Sequence, residues 1–277
     1  TIAHEMQSAG LPSAEGLLPG KMLRTRLAAR VVSQGNLSPC RRSVVFACAA
    51  TELVHTASLC HDDVIDSGVL RRGEPTLWKL VGSSAAVLAG DLLFCSAMDL
   101  VLQVDGGNSA RDFVDKVREV CKGEAMQELQ FRGTDADEET LLSIARMKTG
   151  PLFAFPLAVC GAAEPGELQA ALEEAGYRIG TAYQLLDDLV DVIGDENTSG
   201  KTLGTDGERQ KSTLAQGSEE QRARLKAHVE RLCREAVEQL RDRPDVSRGV
   251  RLFLKEDLGR VIEKYHEPLA REIRDHT

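Results

Sequence analysis

Twice along the chain an apolar, helix-patterned run ends in the same acidic quintet. "VVFACAATELVHTASLC" leads through His61 into "DDVID" at 62–66, and "GYRIGTAYQLL" leads into "DDLVD" at 187–191. On a helix, the first and last aspartates of such a quintet stand one turn apart, about 6 Å along the axis, with the middle one about 100° round it. Three like charges on one turn repel, and an apolar helix end is a costly place to leave them unneutralised. The fold therefore has to bring metal ions or cationic side chains to both helix ends.

The rest of the sequence points the same way. Helical periodicity covers 40–62, 80–104, 109–132, 138–162, 166–193, 219–240 and 247–275, the last broken near Gly259. Between these runs lie turn-rich stretches such as "GNLSP", "DGGN" and "EPGE", and alternating β-branched segments are nearly absent. No repeat of fixed period appears. The expectation is one all-α domain over residues 1–277, in which the helix from about Arg42 to Cys60, apolar nearly all round, is central and buried.

A net charge of −9 argues against general binding to nucleic acid or an anionic membrane surface, so an anionic ligand would have to be held by a local cation cluster. The seven cysteines are odd in number and lack CxxC pairing, which fits reduced core residues in a cytosolic protein. No uninterrupted run of about 18 apolar residues suggests a membrane segment, and the N-terminus shows no basic-then-apolar signal pattern. The start at Thr1 in place of Met points to a trimmed native start.

Carboxylate clusters without His or Cys favour a hard, oxygen-seeking ion, and Mg²⁺ is commonly shared between carboxylates, waters and substrate phosphates. Two such clusters facing one another suit several Mg²⁺ ions around a diphosphate. Asp62, Asp63 and Asp66 form one candidate set, and Asp187, Asp188 and Asp191 the other. Arg71 and Arg72 offer planar forks for phosphate, while Lys21, Arg24, Lys148, Lys201 and Lys211 lie in the short motifs "PGKMLR", "MKTG", "SGKTLG" and "RQKST". None of these has Walker spacing. His55 lies two turns before Asp62 on roughly the same face.

Taken in order, "GKMLR", "ELVHTASLCHDDVIDSGVLRRG", "GDLLF", "MKTG", "YQLLDDLVD", "GKTLGTD" and "KST" resemble the trans-isoprenyl diphosphate synthases, or polyprenyl synthetases. The resemblance covers most of the chain. It implies an all-α isoprenoid-synthase-type bundle around a deep central cavity, Mg²⁺-dependent condensation of isopentenyl diphosphate with an allylic diphosphate, and a homodimer. By the same resemblance Asp62, Asp63, Asp66 and Asp187 bind Mg²⁺, with Asp188 and Asp191 acting partly through metal-bound water. Arg71, Lys148, Lys201 and Lys211 then contact the allylic diphosphate, and Lys21, Arg24, His55 and Arg72 hold isopentenyl diphosphate. Thr149 and Gln184 match polar positions beside the developing cation. This chain departs from the family where "PGK" and "RTR" replace the frequent GGK and Arg-Pro, and the segment before Lys21 is shorter than the family's.

The small residues Ala57 and Ser58 occupy positions where family members with short products often carry an aromatic side chain. The expected product is therefore C20 or longer, with Phe94 and Met98 as deeper candidates for the end of the tunnel. Farnesyl diphosphate synthase, a terpene cyclase and a non-catalytic subunit of a heteromeric synthase are the competing readings. A second complete acidic quintet and a second set of cations argue against the cyclase.

Overall fold

The helical runs of the sequence become a helical bundle, in a computed structural model that describes residues 7, 20–71, 73–104, 107–134, 136–162, 164, 166–193, 215, 218–263 and 270–271. In chain order, α1 is Leu23–Gln34 and α2 is Arg41–Ile65. A short antiparallel hairpin follows, β1 at Leu70–Arg71 and β2 at Glu74–Pro75, with Arg71 opposite Glu74. Next come α3 (Leu77–Val81), α4 (Ser83–Leu102), α5 (Ala110–Ala125), α6 (Glu138–Gly161), α7 (Glu167–Ile193) and α8 (Glu219–Glu238). The described C-terminal part is α9 (Pro244–Leu252) and α10 (Gly259–Glu263), joined by a π-helical segment at Phe253–Leu258; a second π segment, Met126–Gln130, extends α5.

The tightest pairing, α6 on α7, is made by glycine. A Cβ on Gly176 would stand 2.6 Å from the Ala154 Cα, and one on Gly180 would stand 2.7 Å from the Gly150 Cα. Real side chains do not approach so closely, so these positions let two backbones meet where larger residues would hold them apart. Helix α2 packs on α4 and against α6, α5 on α6, α8 on α7, and α9 on α1. The main core joins Leu27, Phe153, Ile179, Val229 and Phe253 across α1, α6, α7, α8 and the C-terminal π segment. A second core gathers Val54, Val101, Phe113 and Phe155 between α2, α4, α5 and α6.

Two expectations change. Helix α1 was not among the predicted helices, because its N-cap is Met22, in a left-handed conformation and without a side-chain capping bond, so the usual local start signal is missing. Nor is α2 buried all round: Val45 is 54% exposed and Ser58 and Leu59 face a cavity. The last predicted helix is not broken at Gly259 but continues past it by way of the π segment, and its expected run to 275 reaches beyond the described stretch ending at 263. Helices α2 and α4 are long and apolar enough to cross a membrane by length and composition; both are packed here as members of the bundle.

Candidate active site

Both acidic quintets open onto one cavity of about 770 Å³. The first ends α2. Asp66 is the C-cap residue, its N–H donating to the Asp62 carbonyl at 2.6 Å. Ser67 then takes a left-handed φ of 51°, and the chain turns back into the hairpin. The Thr76 hydroxyl and the Trp78 indole N–H, each donating at 2.7 Å to the Gly68 carbonyl, pin that turn. The reversal returns Arg71 to Asp63. Arg71 Nη2 donates to Asp63 Oδ1 at 2.7 Å, and Arg71 Nε reaches the two carboxylate oxygens at 3.0 and 3.1 Å. Burial lowers the Arg71 pKa, but Asp63, Asp62 and Asp187 more than offset it and leave the guanidinium above its ordinary range. Both oxygens of Asp63, expected on a metal, are thus engaged by Arg71.

The second quintet lies within α7. The Thr149 hydroxyl on α6 donates to Gln184 Oε1 at 2.6 Å, and Gln184 Nε2 donates to Asp188 Oδ1 at 2.8 Å. The close glycine contact between α6 and α7 brings Thr149 and Gln184 within reach. Lys148, one residue before Thr149, lies 3.0 Å from Glu124 and donates to Gln127. Burial depresses the Lys148 pKa, yet Glu124, Asp188 and Asp62 together raise it above the usual lysine range, so the ammonium stays charged inside the cavity. Gln127 and Glu128 reach the cavity from the π segment; the extra residue in that turn changes which side chains α5 turns inward.

A third corner gathers Lys21, Arg24 and His55. Arg24 Nη2 donates to His55 Nδ1 at 3.3 Å, which puts the proton of a neutral ring on Nε2. The Arg24 guanidinium also lies 3.9 Å from Glu52 and 5.1 Å from the centre of the Phe153 ring. Burial lowers its pKa, with Glu52 and Tyr183 acting in the opposite sense. Its Nε has no hydrogen-bond partner among the described residues, which suits a site awaiting an anion.

The cavity wall thus brings together Lys21, Arg24, His55, Ser58, Asp62, Asp63 and Asp66 with Arg71, Lys148, Thr149, Gln184, Asp187, Asp188 and Asp191. Ala57 does not reach it, being fully buried in a small core with Cys60, Leu77 and Leu93. Arg72, Lys201 and Lys211 lie outside the described residues. Sequence reasoning missed Glu52, Glu124, Gln127 and Tyr183. Glu52, an acid inside an apolar run, carried a signal; the others depend on the π segment or on tertiary packing.

Among the described residues, no three His, Cys, Asp or Glu side chains stand close enough to form a ready cage for a metal ion. The donor set nevertheless fits Mg²⁺, which usually keeps waters and shares its coordination with substrate phosphates. Carboxylates on two facing helix segments, interleaved with cations, have the composition of a site for a metal-bound diphosphate.

The all-α bundle is the isoprenoid-synthase fold: a geranyltranstransferase from Thermotoga maritima shares it with a TM-score of 0.74 at 24% identity, over 95% of this chain and 96% of that one. The polyprenyl synthetase family model matches residues 12–243, and the chain belongs to that family. It is 37% identical over 207 residues to the short chain isoprenyl diphosphate synthase of Methanothermobacter thermautotrophicus, covering 69% of this chain and 63% of that one. It is 33% identical over 202 residues to the octaprenyl diphosphate synthase of Escherichia coli, covering 70% and 60%. The chain spans 54–63% of the length of the first curated relatives it matches. A geranyltransferase from Helicobacter pylori, solved with magnesium and isoprenyl diphosphate, shares the fold with a TM-score of 0.71 at 24% identity, over 87% of this chain and 85% of that one.

Proposed function

We propose that the chain is a Mg²⁺-dependent trans-prenyltransferase, joining isopentenyl diphosphate head-to-tail to an allylic diphosphate. The observation that carries this reading is the shared cavity, in which two acidic segments face one cation set at Arg71 and Lys148 and a second at Lys21 and Arg24. A reaction with two diphosphate substrates needs two anion sites; ionisation of a single prenyl diphosphate needs one.

Asp62, Asp66 and Asp187 are the carboxylates to hold Mg²⁺, with Asp188 and Asp191 beside them. When bound, Mg²⁺ supplies positive charge to the leaving diphosphate. Lys148 and Arg71 add fixed charge where the allylic carbon–oxygen bond breaks and the diphosphate departs with the electron pair. Lys21, Arg24 and His55 hold isopentenyl diphosphate so that its double bond attacks the allylic carbon, forming the new carbon–carbon bond. The Thr149 hydroxyl spends its proton on Gln184, leaving its oxygen lone pairs available to the cation. The departing diphosphate takes up the proton lost from the isopentenyl unit, consistent with the lack of a Ser, Cys or His nucleophile in the proposed mechanism. Apolar lining such as Phe94, Val120 and Leu152 keeps water from the cation.

Small Ser58 on the cavity wall favours a product of C20 or longer, and Phe94, stacked on His61 with ring centres 6.1 Å apart, is an aromatic lining the same cavity. Phe94→Ala is expected to lengthen the product and Ser58→Phe to shorten it. A homodimer is supported by Val87, Leu88 and Leu102 exposed along α4; sedimentation would test it.

The decisive assay is Mg²⁺, isopentenyl diphosphate and a series of allylic primers, with products sized by mass spectrometry. Elongation is expected, abolished by chelation. Failure with every primer would overturn the prenyltransferase reading, and accumulation at C15 would overturn the chain-length reading alone.

A further inference from the structure

The "RTR" stretch, where this chain departs from its family, has a structural use. Met22 has φ 51° and ψ 39°, a left-handed backbone uncommon for a residue with a side chain, and it separates Lys21 from the first turn of α1. Something has to fix the direction in which Lys21 leaves the helix. Arg26 does so from one turn further on: its Nε donates to the Lys21 carbonyl at 3.0 Å, and its Nη1 donates to Asp257 Oδ1 at 3.1 Å. Asp257 sits on the C-terminal π segment with its side chain only 5% exposed, and its second oxygen accepts from Arg30 Nε at 2.9 Å. The anchor is therefore fixed by its own partners, and one planar guanidinium links it to the backbone of Lys21.

Thr25 completes the arrangement from the other side. Its N–H, one of the donors a helix start leaves without an intrahelical partner, and its hydroxyl both donate to Glu52 Oε1, at 3.3 and 3.1 Å. Glu52 is the carboxylate that also faces Arg24 at 3.9 Å. A proline in place of Thr25 would offer Glu52 neither bond.

We infer that Arg26, anchored on Asp257, is a positioning residue for the isopentenyl diphosphate corner: it sets the place of Lys21 without touching substrate, while Thr25 and Glu52 set that of Arg24. The inference rests on the reading that Lys21 binds isopentenyl diphosphate, and the test separates the two.

The variants are Arg26→Met, Arg26→Lys, Lys21→Ala and the double variant, assayed for the KM of each substrate and for kcat. Arg26→Met should raise the isopentenyl diphosphate KM about 3- to 10-fold, the loss of a hydrogen bond or two, with the allylic KM and kcat within about twofold. Arg26→Lys keeps the charge opposite Asp257 and the thermal midpoint, but a single ammonium lacks the fork needed to bridge both groups, so the same KM rise is expected. In the Lys21→Ala background, Arg26→Met should change nothing further, because the residue acts through Lys21. Additive losses in the double variant, equal rises in both KM values, or no rise at all would overturn the inference. An unchanged isopentenyl diphosphate KM in Lys21→Ala alone would overturn the underlying reading instead.

Discussion

The two acidic quintets have the same pattern and different supports. At the end of α2, Asp63 is braced by a full charge, with Arg71 brought back by the hairpin into a forked ion pair. Within α7, Asp188 accepts from the Gln184 amide, itself held by the Thr149 hydroxyl, and also feels the charge of Lys148. The quintets alone do not distinguish them: Arg71 reaches Asp63 only because the chain reverses in the hairpin, and Gln184, one turn before Asp188, is oriented by Thr149 from α6. One aspartate of each trio is thus held by a neighbouring side chain, Asp63 by a forked ion pair where the backbone reverses and Asp188 by an amide one turn away on its own helix. The outer aspartates, Asp62 with Asp66 and Asp187 with Asp191, are where the symmetry should survive.

The largest effect tests that symmetry. Asp62→Asn and Asp187→Asn are each expected to lower turnover by about 10³-fold or more, the scale set by removing a principal electrostatic group from a transition state. The folded state should change little, since losing one of three like charges relieves repulsion. Circular dichroism and steady-state turnover check both halves. If one variant retained most of its activity, only one quintet would be metal-binding and the pairing of the two would fail.

The next effect tests the asymmetry. Asp63→Asn leaves the Arg71 guanidinium facing a neutral amide. Breaking a fully buried pair costs about 3–5 kcal/mol; with the Arg71 side chain 34% exposed, screening reduces this to about 1–2 kcal/mol. Asp188→Asn keeps an acceptor for the Gln184 amide and leaves Lys148 facing Glu124 and Asp62, so it should cost less, about 0.5–1 kcal/mol. Thermal or urea unfolding of the two variants side by side measures the gap. Equal losses would mean that the forked ion pair contributes nothing beyond the hydrogen bond that replaces it.

How much of this could be read from the sequence follows the same division. The long helices were legible because apolar periodicity is local, and the cavity residues were legible because two acidic quintets and several short basic motifs occur together. Helix α1 was not, because Glu52 of α2, remote in sequence, bonds the Thr25 N–H near its start, and Met22 provides no side-chain cap. Gln127 was missed because a π segment, which has no periodic signature, carries it to Lys148, and Glu124 because its pairing with Lys148 depends on how α5 packs on α6. Ala57, chosen by counting turns back from Asp62, faces α3 and α4 while its neighbour Ser58 faces the cavity. A one-residue step on a helix is about 100° of rotation, enough to move a side chain from tunnel to core.

The smallest effect probes the Thr149–Gln184 bond itself. Thr149→Val keeps the shape of the side chain and removes the hydroxyl, so Gln184 loses the donor at 2.6 Å that fixes which way its amide points. The stability cost should be about 0.5–1.5 kcal/mol, the usual net value of one hydrogen bond. Functionally the loss should fall on kcat, by about 10-fold, because it disturbs the two groups proposed to lie beside the developing cation and leaves the proposed diphosphate contacts of Lys148 and Arg71 in place. A raised allylic KM with kcat unchanged would place Thr149 in ground-state binding, and the relay through Gln184 would then be a packing feature of the α6–α7 contact with no part in the chemistry.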